Sequence, residues 1–153
     1  MNTDKPTRSQ LASSAWAIAG LGVLALFYGA IAGPKFASMR LRDARSEIPP
    51  NLDAIRLAEL AAHEKSGSFV AIPRRPSEVP SSDKRDWPTS HPFDAIDWRP
   101  HARVRGVYWV EVSEDGADFL AHGIIDVDGD GDSAHYVANR VRRSELITPN
   151  NIY

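Results

Sequence analysis

The most pronounced pattern in the sequence is an apolar run near its N-terminus. Residues 15–32 contain no charged residue, no proline and no side-chain amide. At about 1.5 Å per residue, a helix of this length spans roughly 27 Å, which is close to the hydrocarbon thickness of a bilayer. The pattern therefore predicts a transmembrane helix over residues 13–33, preceded by a polar tail over residues 1–12.

A cleaved signal peptide is the alternative interpretation of the same run. Lys5 and Arg8 precede it, and residues 30–32 have the small-x-small form of a signal-peptidase site. The run is, however, longer than a typical signal core and carries three aromatic residues. We favour a retained membrane anchor, and a small secreted domain released by signal cleavage remains the competing hypothesis.

Small residues form a stripe along the predicted membrane helix. They recur at spacings of three and four, and the last two make a G-x-x-x-G pattern. Such stripes let membrane helices approach closely, although alanine and glycine are common in any membrane helix. The stripe predicts packing against other helices, in a homo-oligomer or with related subunits. Its members are Ala15, Ala19, Gly22, Ala25, Gly29 and Gly33.

A more polar helical pattern follows over residues 34–65. It is interrupted near Pro49, because two consecutive prolines disfavour the helical conformation of the residue before each of them. Asn51 is the expected N-cap of the next helical stretch, and Gly67 is its expected stop. Residues 66–100 contain six prolines and predict a long loop with one short strand at residues 69–72.

The last third of the chain has the residue pattern typical of β-strands. Residues 107–112, 119–125 and 135–139 are rich in β-formers and are separated by short Asp- and Gly-containing connections. Consecutive strands with short connections predict an antiparallel meander, and the amphipathic stretch 51–65 is the natural cover for one face. The predicted fold class is α+β, with a long N-terminal helix, membrane-spanning in its first half, packed on a small antiparallel sheet.

Part of this pattern resembles type IV pilins and the related pseudopilins. Residues 30–36 (Ala-Ile-Ala-Gly-Pro-Lys-Phe) are similar to the end of the membrane half of a pilin helix, and residues 42–59 are similar to its following turns. The strand pair, the acidic loop and the Pro-Asn-containing tail also resemble the C-terminal sheet of certain pilin-like proteins. The usual prepilin cleavage motif is missing, since Ala17 stands where the family has its glutamate.

The resemblance implies a membrane-anchored structural subunit of a type IV pilus or of a type II secretion-like filament. The missing motif implies a minor or non-assembling member. Residues 1–12 would then be cytoplasmic, the chain would cross the inner membrane once, and residues 66–153 would lie in the periplasm or at the cell surface. The positive-inside rule, applied naively to the four cations within residues 35–45, gives the opposite orientation.

The sharpest local motif is the acidic run 126–132. Alternating carboxylates with a glycine at the sixth position match the first half of a calcium loop, because Ca²⁺ takes six to eight oxygen ligands in flexible geometry. The twelfth position is Val137, where an EF-hand has a bidentate glutamate. A solvated acidic turn is the alternative, and a membrane-tethered calcium-binding or interaction module is the alternative function. The predicted calcium ligands are Asp126, Asp128, Asp130 and Asp132.

The composition of the chain excludes several other classes of protein. A net charge of −2 gives no basic footprint for nucleic acid, and the absence of cysteine excludes disulfides, iron–sulfur clusters and thiol nucleophiles. The five histidines show no zinc-type spacing. His122 and His135 could face each other on adjacent strands, but satisfied or exposed histidines are far commoner in sheets. No phosphate-binding loop or nucleophile-elbow motif is present, and we predict that the chain is not an enzyme.

Overall fold

The computed structural model of the chain describes residues 35–76 and 80–153. The predicted tail over 1–12 and the predicted membrane helix over 13–33 lie outside these residues. Within the described ranges, no helix combines the length and the apolar character needed to cross a bilayer. Residues Leu41–Tyr153 form one compact unit that contains every strand named below.

The helical part of the described chain has two stretches. Residues 35–45 are helical (α1), residues 46–47 form a turn, and α2 spans Ile48–Ser66. The interruption therefore falls just before the position predicted for it. Pro49 and Pro50 lie in the first turn of α2, where a missing N–H costs no helical hydrogen bond. The prolines thus begin the second stretch instead of ending the first.

The ends of α2 differ in how well the sequence predicted them. The prediction of Asn51 as N-cap is wrong, because the N-cap is Glu47 and Asn51 lies inside the helix. The Asn51 amide donates instead to the Tyr108 hydroxyl at 2.9 Å. At the other end the helix stops at Gly67, as predicted. Gly67 adopts φ 77° and donates its N–H to the His63 carbonyl at 2.8 Å, a left-handed cap that favours glycine.

Glu47 ties the turn between the helices to the sheet. Its Oε1 accepts the backbone N–H groups of Arg105 at 2.7 Å and Gly106 at 3.2 Å. The Arg105 guanidinium lies 3.6 Å from Oε2 of the same carboxylate. One side chain therefore fixes the start of α2 against the chain that enters the sheet.

The sheet is an antiparallel meander of five strands in the order β1-β2-β3-β4-β5. The predicted strands at 107–112 and 119–125 are confirmed, and the third begins one residue earlier than predicted. The strand predicted at 69–72 is wrong, because the strand begins where that stretch ends. The bounds are β1 Ile72–Arg75, β2 Val107–Val112, β3 Phe119–Ile125, β4 Ala134–Asn139 and β5 Glu145–Leu146.

The helix α2 covers one face of this sheet by packing across β3 and β4, which confirms the predicted α+β arrangement. Ile48, Leu52 and Ile55 are fully buried at this interface. A Cβ on Gly123 would lie 2.7 Å from Ile48 Cγ2, so glycine lets the helix approach the sheet closely. The proline-rich loop closes the rest of this face through a short 3-10 helix, Pro92–Ile96. Its buried side chains Phe93, Ile96 and Trp98 join the core.

Candidate functional site

The acidic loop between β3 and β4 brings three of its four predicted calcium ligands together. Carboxylate oxygens of Asp126, Asp128 and Asp130 lie within 4.8 Å of one another. Asp126 is buried, whereas Asp128 and Asp130 are exposed. Asp132 is not part of this group, and its backbone N–H donates to Asp130 Oδ1 at 2.8 Å. The loop leads directly into β4, which places Val137 in a strand and not in the helix that follows an EF-hand loop.

Hydrogen bonds inside the loop account for its shape. The Asp126 carboxylate accepts the backbone N–H groups of Gly129 at 2.7 Å and Gly131 at 3.1 Å. Both glycines have positive φ, 74° and 96°, a region in which residues with side chains are strained. Local desolvation and the neighbouring Asp130 carboxylate raise the pKa of Asp128. The loop can therefore hold its form through Asp126 while the two exposed carboxylates remain available to a cation.

The C-terminal tail connects this loop to the end of α1. The Val127 N–H donates to the Tyr153 carbonyl at 3.0 Å. Arg45, only 6% exposed, donates to the carbonyl oxygens of Ile152 at 2.6 Å and Asn150 at 3.2 Å. Its guanidinium also lies 5.2 Å from the centre of the Tyr153 ring. A single buried arginine thus holds the last residues of the chain in place beside the acidic loop.

The face of the sheet opposite α2 carries a second constellation, which we call the histidine face. Trp109 and His122 form a direct cross-strand pair, with rings stacked at 4.4 Å and planes 3° apart. His122 Nδ1 and His135 Nε2 are 3.0 Å apart. The sequence left this pairing open beside the commoner alternative of separate sheet histidines, and in the structure the two rings meet. The histidine face comprises Arg74, Trp109, Glu111, His122 and His135.

Two charged side chains complete the histidine face. The Arg74 guanidinium lies 4.1 Å from the centre of the Trp109 ring, a cation–π contact. Glu111 accepts the Trp109 indole N–H at 3.0 Å and has its other oxygen 3.7 Å from His122 Nε2. Burial lowers the pKa of His122 and of His135, and the Arg74 charge lowers each further. Both imidazoles are therefore held in the neutral form at pH 7.

The arginines after the acidic loop do not gather around it. Arg140, Arg142 and Arg143 are exposed and lie between β4 and β5, whereas the acidic loop precedes β4. Arg140 donates to the Ala117 carbonyl at 3.3 Å, and Arg142 lies 4.0 Å from the Glu145 carboxylate. Local contacts of this kind on exposed side chains contribute little to stability.

The helix-packing residues predicted on the membrane helix lie outside the described residues. These are Ala15, Ala19, Gly22, Ala25, Gly29 and Gly33. Their role in assembly stays a prediction.

The chain was compared with protein-family models, with curated proteins and with solved structures, and none of the three comparisons gave a match.

Sequence reasoning missed Arg74, Trp109 and Glu111 as members of a polar site. The sequence did contain a signal for Trp109 and Glu111. They lie two residues apart in a predicted strand, and such residues point to the same face of a sheet. Arg74 could not be found in this way, since it reaches Trp109 only through the pairing of β1 with β2. Sequence reasoning also missed Glu59, which is an acid fully buried on α2.

Proposed function

We propose that the chain is a pilin-like, membrane-anchored structural subunit of a type IV pilus or a type II secretion-like filament. The absence of the usual cleavage motif makes it a minor or non-assembling subunit in this proposal. Its role is structural and not catalytic. The N-terminal helix packs with other pilin-like subunits or with copies of itself. The sheet domain faces the periplasm or the cell exterior.

The observation that supports this proposal most is the packing of α2 on an antiparallel meander. Residues 35–45 and Ile48–Ser66 are helical, and the second stretch packs an apolar stripe of Ile48, Leu52 and Ile55 against the sheet. The resemblance implied this combination of a helix with a small antiparallel sheet. The apolar run 15–32 supplies the membrane segment in the sequence.

The test replaces one small residue of the predicted packing stripe. Gly29→Leu should abolish co-purification and cross-linking of subunits in the membrane, because a bulky side chain prevents close helix approach. Gly29→Ala is the matched control, since it keeps the residue small, and it should assemble like the wild type. Normal assembly of Gly29→Leu would remove the main physical support for a filament subunit.

The intact mass of the protein purified from its native membrane distinguishes an uncleaved anchor, a processed subunit and a cleaved signal peptide. A full-length mass, with or without the initiator Met, indicates an uncleaved pilin-like membrane protein. Loss of about twelve residues indicates processing at the atypical site and favours filament assembly. Loss of about thirty-two residues indicates a signal peptide, and the filament proposal would then fail.

A membrane-tethered calcium-binding module is the second candidate function. It is favoured by the convergence of Asp126, Asp128 and Asp130 within 4.8 Å. Ca²⁺ would relieve the repulsion among these carboxylates and link the loop more firmly to β4. The residues fit only part of a calcium shell, so water or backbone carbonyls would supply the remaining oxygens.

Chelation tests the calcium function directly. Removal of Ca²⁺ should lower the melting temperature of the wild type, and Asp128→Asn should lose most of that response. Asp128 is the suitable position, because Asp126 also holds the loop through Gly129 and Gly131. Glu64→Gln, on the exposed side of α2, is the matched control for loss of one negative charge. An identical melting curve with and without chelator would exclude a calcium role.

A further inference from the structure

The histidine face places two imidazole nitrogens in direct opposition. His122 Nδ1 and His135 Nε2 are 3.0 Å apart, and the ring planes are inclined by 35°. The two residues are diagonal neighbours on adjacent antiparallel strands, since His122 pairs with Val137 and Ile124 pairs with His135. Two nitrogens at this separation either share one N–H or present both lone pairs to one small volume.

The 3.0 Å between these two nitrogens is the distance expected between two nitrogen ligands of one metal ion. Metal–nitrogen bonds of about 2.0–2.1 Å to two nitrogens 3.0 Å apart enclose an angle of roughly 90–100°. An angle near 90° is that of neighbouring ligands in square-planar or tetragonal coordination, which Cu²⁺ and Ni²⁺ prefer. It is smaller than the tetrahedral angle that zinc adopts. The geometry therefore suits copper or nickel better than zinc.

We propose that His122 Nδ1 and His135 Nε2 form a two-nitrogen chelating site for a divalent metal of the Cu²⁺ or Ni²⁺ type. Water completes the coordination. This site differs in chemistry from the acidic loop, whose oxygen donors suit Ca²⁺.

Glu111 supplies an independent reason to assign the site to metal. His122 Nε2 is buried and has no hydrogen-bond partner among the residues that the structure describes, and a Glu111 carboxylate oxygen lies 3.7 Å from it. The negative charge of this carboxylate favours the tautomer with its proton on Nε2, which leaves the Nδ1 lone pair free. In many metal sites a carboxylate beside the outer ring nitrogen of a histidine sets its tautomer and orientation, and a small approach of Glu111 would complete that arrangement.

The surroundings of the pair prepare it for a metal and also limit its affinity. His122 is 7% exposed and stacked on Trp109, so its ring orientation is fixed before a ligand arrives. Burial lowers the pKa of both histidines, which keeps them unprotonated and able to bind metal at pH 7. The Arg74 guanidinium over Trp109 opposes a bound dication. Removal of this charge should therefore strengthen binding.

The test is a CuCl₂ titration of the full-length protein in detergent, with excess Ca²⁺ present to occupy the acidic loop. Electron paramagnetic resonance of the bound copper should show coupling to two nitrogens. The emission of Trp109 should be quenched in step with binding, because its ring is stacked on His122. The His135→Gln variant should bind at least about tenfold more weakly, and Arg74→Gln should bind severalfold more tightly.

The matched control is His101→Gln, which removes an exposed histidine and should leave affinity unchanged. The gain expected for Arg74→Gln keeps the test decisive if His135→Gln folds poorly, because misfolding cannot produce tighter binding with the same two-nitrogen signal. Equal affinity in the wild type and a folded His135→Gln would overturn the proposal. A copper spectrum with oxygen ligands alone would also overturn it and would leave the pair as a simple hydrogen bond.

Discussion

The two faces of the sheet are built from alternate residues of the same strands, yet they are stabilised in different ways. The covered face meets α2 through side chains such as Tyr108 and Ile125, which are fully buried. The opposite face carries Trp109, His122 and His135, which contact one another through stacked rings and hydrogen bonds. Neighbouring residues on β2 and β3 therefore belong to an apolar core on one side and to a polar, titratable cluster on the other.

The comparison shows that burial alone does not identify a core. Trp109 and His122 are 8% and 7% exposed, values similar to those of core residues, although no helix of the described chain covers them. Their neighbours on the same face, Arg74 among them, provide the cover. Apolar packing should dominate the stability of the covered face, and charge and protonation should dominate the behaviour of the histidine face.

The largest effect of a substitution on the free energy of unfolding is expected where α2 packs on the sheet. Leu52→Ala removes a fully buried side chain and should lower the free energy of unfolding by about 3 kcal/mol, since it leaves a cavity as well as losing apolar burial. Leu57→Ala is the same change on the same helix at a side chain that is 60% exposed, and it should cost less than about 0.5 kcal/mol. Urea unfolding of both variants measures the difference. Similar losses at the two positions would contradict the assignment of the covered face.

Glu59 provides the next largest effect, because it is a fully buried acid among the apolar residues of α2. Its Oε2 accepts the Val70 N–H at 3.0 Å, whereas Oε1 has no hydrogen-bond partner within residues 35–76 and 80–153. Burial raises the pKa of Glu59 from 4.5 to about 7. The native state therefore holds this proton more tightly than the unfolded chain does. The contribution of Glu59 to the stability should fall as pH rises from about 4.5 to 7, by up to about 3 kcal/mol.

Glu59→Gln should remove this pH dependence. The variant should be more stable than the wild type at pH 8, because no charge is then buried, and the difference should shrink toward pH 5. Urea unfolding at several pH values checks the sign, and Glu64→Gln on the exposed side of α2 is the control. If Glu59→Gln were the less stable protein at pH 8, the buried carboxylate would have a favourable partner in solution.

Periodicity predicted the regular elements well, because each is decided by its own residues. The alternation at 119–125 and the glycine at position 67 are local signals, and both gave the observed boundaries. The start of α2 was mispredicted because Asn51 has high N-cap propensity, whereas tertiary contacts of Glu47 with Arg105 and Gly106 determine the cap. Local preference is overridden where a distant strand supplies hydrogen bonds to the helix terminus.

The two candidate sites differ in the same respect, because the acidic loop is built from neighbouring residues and the histidine face from residues far apart in the sequence. The acidic loop lies within seven consecutive residues, so its spacing alone suggested Asp126, Asp128 and Asp130. The histidine face assembles residues from four strands, and only strand register brings Arg74 to Trp109 or His122 to His135. Sequence patterns cannot fix register across strands in advance, because a shift by one residue exchanges the two faces.

The smallest effect is expected from the histidine face in metal-free protein. His135→Gln disturbs one hydrogen bond to His122 and should cost about 1 kcal/mol at pH 7. The pKa of His122 is lowered mainly by burial and also by the neighbouring His135 imidazole. The unfolded chain therefore binds protons at these histidines before the native state does, and their contribution to the stability should decline as pH falls below about 6.5. This slope is opposite in sign to that of Glu59.

The His135→Gln variant should show a shallower decline. It lacks one histidine whose pKa is lowered, and it removes the effect of that histidine on the pKa of His122. Urea unfolding between pH 5 and 8 measures the slope, with His101→Gln as the exposed control. An unchanged acid slope in His135→Gln would mean that His135 neither has a lowered pKa nor lowers the pKa of His122, and the two imidazoles would then not form one coupled cluster.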